Sequence, residues 1–181
     1  MTFDFVPSDE VSRIRRRLTH PVIDADGHLV EFMPMVLDCL REVAGAAVAD
    51  RFVEFRRSPF TSGGFLPTRV FFGNPLGLDR MTVMLPELLH RRLEEIGLDL
   101  ALLYPTSGLS VLSIPDDELR QAAARALNTY YSRVFAEHRD RLEPVAYRSN
   151  NRAASTGSNP AGSNCWTASL LRFWWWASRS A

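Results

Sequence analysis

Leu100-Ala101-Leu102-Leu103-Tyr104 is apolar at every position, with Gly97 before it and Pro105-Thr106-Ser107-Gly108 after it. A strand without polar alternation fits a parallel sheet covered on both faces, and parallel neighbours need crossover connections that are usually helical. The flanking sequence supplies them. From Pro86 to Ile96, the residues Leu88, Leu89, Leu93 and Ile96 fall on one helical face, and Gly97 stands where a C-terminal cap belongs. Downstream, Ser113 is read as a cap and Pro115 as a first-turn residue, with Asp116, Asp117 and Glu118 at the positive end of the helix dipole. Leu119, Ala122, Ala123, Ala126, Leu127, Tyr130, Val134 and Phe135 then recur at helical spacing through about His138.

Upstream, polar and basic residues 8–20 lead into a short buried strand over Pro21 to Asp24. Pro34 opens a helix that carries Val36, Leu37, Leu40, Val43, Ala44, Ala47 and Val48 on one face. Residues 57–80 hold Pro59, Gly63, Gly64, Pro67, Gly73, Pro75 and Gly77 among aromatics, the pattern of a long structured loop that covers a site. Leu142 to Ala146, after the turn Arg139-Asp140-Arg141, reads as a further strand. Strands alternating with helices predict an α/β fold, either a doubly wound sheet or a barrel.

No Gly-x-Gly-x-x-Gly follows the first strand and there is no Walker loop, so the common nucleotide-binding readings have no support. With 46% hydrophobic residues and zero net charge, the composition is that of a soluble globular domain, without a membrane span or wholesale disorder. All 21 basic residues are Arg, which reflects a G+C-rich gene more than a nucleic-acid partner. Cys39 and Cys165 form no metal-binding or disulfide pattern, and the N-terminus lacks the apolar run of a signal peptide, so a cytoplasmic location is expected.

Chemistry concentrates at the exit of the first strand. Asp24, Asp26 and His28 alternate, which directs them to one side, and Glu31 follows within a short turn. Carboxylates and an imidazole converging there suit a divalent metal, Zn or Mn, that activates water or polarises a carbonyl. The plainer reading is a helix cap with solvated acids. His20 stands at the strand's start, His90 on the outward side of its helix, and His138 at a helix C-terminus where a cation suits the dipole.

The segment His20-Pro21-Val22-Ile23-Asp24-Ala25-Asp26-Gly27-His28-Leu29-Val30-Glu31 resembles the opening strand of metal-dependent amidohydrolase-related proteins, in the branch with aminocarboxymuconate-semialdehyde and gamma-resorcylate decarboxylases. Leu78-Asp79-Arg80, the helix Leu85 to Ile96, the stretch Gly97 to Thr106, and Ala126-Leu127-Asn128 resemble the segments that follow, so the likeness runs over about residues 18–146. It implies a TIM-type (β/α)8 barrel of which residues 1–146 are the incomplete N-terminal part. It also implies one divalent metal held by Asp26 and His28, with Asp24 and Glu31 as orienting residues behind them. Members carry His-x-His or Glu-x-His where this chain has Asp26-x-His28. The implied activity is hydrolysis or non-oxidative decarboxylation of a small carboxylated or cyclic substrate, in a protein that is a possible homo-oligomer. The family's later His and Asp ligands have no counterpart here, so the chain as written is expected to be truncated and inactive. The alternative is a non-enzymatic remnant or a small α/β binding domain.

Residues 147–181 contain four Arg, no Asp or Glu, and all four Trp of the chain. A (β/α)8 barrel takes about 250 residues and rarely fewer than about 200. Across codon boundaries, the third base of each codon joins the first two of the next to give a shifted frame. Asn164-Cys165, Cys165-Trp166 and Trp166-Thr167 can then encode only Leu, Leu and Asp. Phe173-Trp174, Trp174-Trp175, Trp175-Trp176 and Trp176-Ala177 can encode only Leu, Val, Val and Gly. Arg172-Phe173 must give Phe, Leu, Ile or Val. The shifted frame spells a helix end, a short link and a buried strand, which is what a barrel needs next. A frameshift-like, disordered tail is the expectation; a genuine Ser/Asn/Arg-rich tail ending in an aromatic anchor is the other reading.

Overall fold

A computed structural model describes residues 4–57 and 77–147. Most of the loop expected over 57–80, and the tail after Tyr147, lie outside the described residues. In chain order the elements are α1 (Asp9–Arg15), β1 (Ile23–Leu29), α2 (Met33–Ala44), α3 (Ala46–Arg57), α4 (Leu78–Thr82), α5 (Pro86–Ile96), β2 (Leu100–Pro105), a 3-10 helix (Ser107–Ser113), α6 (Asp117–Val134) and β3 (Leu142–Pro144). The fold is mixed α/β, with a parallel three-stranded sheet in the order β1-β2-β3.

Local chemistry sets the boundaries. Gly97 ends α5 in the left-handed region at φ 87°, as its position predicts, and its N–H reaches back to Leu93 and Glu94. Gly45, at φ 85°, divides the single helix expected after Pro34 into α2 and α3. The cap of α6 is Asp116 rather than Ser113: the Asp116 carboxylate accepts the Leu119 N–H at 3.0 Å. Ser113 instead closes the 3-10 helix, and its hydroxyl donates to the Ser110 carbonyl. β1 continues past Asp24 to Leu29 because Gly27, His28 and Leu29 pair with Leu103, Tyr104 and Pro105.

The helices bury one face of the sheet. Leu29, Ala101, Leu103 and Leu142 pack with Val36 and Leu40 of α2, Phe52 of α3, Leu93 of α5, and Ala126, Leu127 and Tyr130 of α6. Alternation sends Leu102 and Tyr104 to the opposite face, where both are half-buried. Leu100, on that same face, is buried, so among the described residues the second face of β2 is covered at the strand's entry and half-covered toward its exit.

The N-terminal end of the sheet is closed by charge. Asp99 accepts two hydrogen bonds from Arg15, at 2.6 and 2.7 Å, and one from the Val22 N–H at 2.7 Å. Arg141 donates to the Asp99 and Leu98 carbonyls. Tyr147, assigned by composition to the tail, belongs with the folded unit: its N–H and C=O are both bonded to the Asn128 side chain.

Candidate functional site

A bulge in β1 arranges the acidic residues. Asp24 pairs with Ala101 and Gly27 with Leu103, so three residues of β1 span two of β2. Ala101 and Leu103 face the helices, which puts Asp24 and Gly27 on that side too. A Cβ added at Gly27 would stand 2.9 Å from Asp24 Oδ2, in keeping with this. The extra residue places Asp26 and His28 on the opposite face. The common side expected for Asp24, Asp26 and His28 thus holds for the last two only. Asp24 still acts locally, because its Oδ1 accepts the Asp26 N–H at 3.0 Å.

His28 and Asp26 lie at the open C-terminal end of β1, with side chains 45% and 94% exposed, and His28 Nε2 is 4.0 Å from Asp26 Oδ1. The other ring nitrogen, Nδ1, is 3.3 Å from Thr106 Oγ1 at the exit of β2. The Tyr104 ring flanks the imidazole at a centroid separation of 6.2 Å. Thr106 and Tyr104 were not singled out in the sequence, although both sit at the exit of the strand adjacent to β1, where a facing side chain is to be expected.

Glu31 does not join them. It is 2% exposed and turned into the protein, where its carboxylate accepts the Ser107 N–H at 2.7 Å, the Gly108 N–H at 3.1 Å and the Tyr131 hydroxyl at 2.6 Å. Burial, and then the Glu31 charge, push the Tyr131 hydroxyl far above its ordinary range, so it remains a donor. Burial lowers the Arg56 guanidinium on α3, while Glu31 raises it. Gly108 allows the approach: a Cβ there would meet Glu31 Oε1, Pro105 Cβ and Tyr147 Cε2 at 3.0 Å each.

The other histidines are engaged elsewhere. His90 Nε2 contacts both Asp140 oxygens at 3.0 Å, His138 Nε2 is 3.5 Å from Glu87, and the two rings lie 5.2 Å apart. His20 is exposed, with Nδ1 near its neighbour's carbonyl, Pro21 O. Two donors on one zinc at about 2.1 Å each are separated by about 3.4 Å, against 4.0 Å between His28 Nε2 and Asp26 Oδ1. Among the described residues no group of three or more His, Cys, Asp or Glu is arranged to hold a metal ion. Also among them, no helix is long and apolar enough to cross a membrane.

The site and sheet together define an α/β chain with polar groups at the strand exits. No family model, curated protein or solved structure matches the chain.

Proposed function

We propose that this chain is a portion of a metal-dependent amidohydrolase-type enzyme, a hydrolase or non-oxidative decarboxylase of small carboxylated or cyclic substrates. The observation that carries the reading is the pair Asp26 and His28, 4.0 Å apart on one face at the C-terminal end of a parallel strand. Open α/β sheets bind ligands outside the carboxyl ends of their strands. A divalent metal, Zn or Mn, would there lower the pKa of bound water or polarise a carbonyl. Asp26 and His28 would hold it, Asp24 would fix the backbone of Asp26, and Glu31 would tie the two strand exits together from the buried side. The order β1-β2-β3, each strand beside its predecessor, is compatible with the start of a TIM-type barrel.

The partial donor set favours the second reading, a non-enzymatic remnant, for the chain as it stands: a catalytic zinc takes three protein ligands plus water, and the described residues offer two side by side. Metal content and titration separate the two. Binding of one Zn or Mn per chain, lost in His28→Ala and Asp26→Ala, supports a metal site, whereas no binding at micromolar metal supports the remnant. Neither reading expects turnover by this chain alone, so metal-dependent turnover by pure wild-type protein would overturn the inactivity. The reading of residues after Tyr147 as a shifted frame is tested by resequencing the gene. An early stop in the shifted frame, with no further His- or Asp-bearing strand, would refute it.

A further inference from the structure

We propose that Arg56 and Arg80 form a binding site for an oxyanion, the carboxylate or phosphate of a small ligand, at the exit of β1, with the Tyr147 hydroxyl as a neutral donor. That this group belongs to the substrate rests on the proposed function; the anion site itself does not. Charge pairing points to it. Of the buried and half-buried arginines among the described residues, Arg15, Arg51, Arg92, Arg120 and Arg141 each have a carboxylate partner, and Arg56 and Arg80 have none. Taking a charge out of water without a counter-ion is costly. No acidic side chain elsewhere in the sequence can supply one: every Asp and Glu lies among the described residues, and none falls between Glu54 and Asp79 or after Glu143.

These donors are anchored at one place. Arg56, on α3, donates through Nη1 to the Met33 thioether at 3.0 Å, a weak acceptor. Burial lowers this guanidinium, and the Glu31 charge reaches it, but the Glu31 oxygens are taken by the Ser107 and Gly108 N–H groups and the Tyr131 hydroxyl. Arg80 lies on α4, whose C-cap Val83 accepts the Val30 N–H at 2.8 Å. Its Nη1 is buried without a partner, as is the Tyr147 hydroxyl; the third such atom, Arg15 Nη1, belongs to a guanidinium already paired with Asp99. Tyr147 stands beside Glu31, since a Cβ on Gly108 would lie 3.0 Å from both Tyr147 Cε2 and Glu31 Oε1. The anchoring residues Val30, Glu31 and Met33 fall within 30–33, a stretch no longer than about 11 Å. Two guanidinium groups around one buried carboxylate leave positive charge in excess, and their planar forks match a carboxylate or a phosphate.

Calorimetric titration of the metal-free full chain with inorganic phosphate and with acetate, at an ionic strength held constant with chloride, tests this. One saturable site per chain for at least one of the two anions is expected, weakened about tenfold or more in Arg56→Gln and in Arg80→Gln. Tyr147→Phe is expected to weaken it less, and Arg57→Gln, at the exposed neighbour on α3, not at all. Should Arg56→Gln fail to fold, Arg80→Gln, on a separate helix, decides the matter. Binding of phosphate without acetate assigns the site to a phosphorylated ligand, and the opposite result to a carboxylated one. Saturable binding of neither, or an equal loss in Arg57→Gln, overturns the inference. Oxyanion binding by a chain that takes up no zinc or manganese removes the metal reading and leaves the site standing. Metal binding with no oxyanion site does the reverse.

Discussion

At the N-terminal end of the sheet the charges beside the strand entries bind the fold: Asp99 takes Arg15 and the Val22 N–H, and Arg141 takes two carbonyls. At the C-terminal end the polar groups divide. Glu31 is buried and fully engaged, while the side chains of Asp26 and His28 are exposed, His28 lying 3.3 Å from Thr106 Oγ1 and beside the Tyr104 ring. Buried polar groups without partners destabilise, so engagement of this kind marks residues that hold a fold together. Exposed acid and imidazole side by side contribute little to folding and are free to meet a ligand. The comparison therefore predicts that substitutions at one end change stability and that substitutions at the other change binding.

Asp99→Ala is the sharpest break. It removes the acceptor for Arg15 and for a strand-entry N–H in one step, and a loss of about 2–3 kcal/mol is expected for a half-buried, multiply bonded carboxylate. A fall in the urea midpoint at unchanged slope measures it, and a loss under about 0.5 kcal/mol would remove the basis for calling this end structural. Gly27→Ala comes next. Its Cβ would lie 2.8 Å from the Leu102 carbonyl oxygen, a backbone atom that has no rotamer to change, and 3.1 Å from Leu103 Cδ2. An overpacking cost of about 2 kcal/mol is expected by the same measurement. Because Gly27 follows the bulge, this variant also tests whether that bulge fixes which face Asp26 occupies.

Signals confined to a few residues were legible in the sequence, and those that depend on distant partners were not. The apolar run of β2, the Gly97 cap and the periodic face of α6 are each complete within a short window, and they lie in the structure where the sequence places them. The break at Gly45 was hidden because a glycine is tolerated inside a helical pattern, and only its positive φ divides α2 from α3. Ser113 and Asp116 are both good caps. The choice between them depends on the 3-10 helix, which ends at Ser113. A one-residue bulge leaves no compositional mark, so alternation alone put Asp24 on the wrong face. Glu31 was singled out for its proximity to His28, yet its partners Ser107 and Tyr131 lie 76 and 100 residues away in sequence. Nothing local marks it as buried.

His28→Ala probes the other end. With the ring half-exposed and lightly bonded, its removal is expected to shift stability by no more than about 0.5 kcal/mol, while abolishing any zinc or manganese binding in a metal titration. A stability loss comparable to that of Asp99→Ala would mean that His28 belongs to the scaffold, and the contrast between the two ends would collapse.

The smallest expected effect concerns pH and returns to the N-terminal end, where Asp140 precedes β3. Burial pushes its carboxyl up, but the hydrogen bond and charge of His90, with backbone N–H bonds at Asp140 and Arg141, outweigh burial and leave it below its ordinary value of 3.8. A carboxyl depressed on folding contributes stability above its unfolded pKa and loses that contribution as pH falls through the lower, folded value. The Asp140 side chain is 61% exposed, so the contribution is that of a screened surface pair, about 0.5 kcal/mol. Asp140→Asn is therefore expected to be slightly less stable than wild type at pH 6, with the gap closing in acid below about pH 3, where both chains carry a neutral side chain at this position. Unfolding midpoints for the pair at the two pH values measure it, with high salt as a control that should shrink the gap at pH 6. A gap that persists unchanged in acid would assign the role of Asp140 to the geometry of the turn before β3 rather than to its charge.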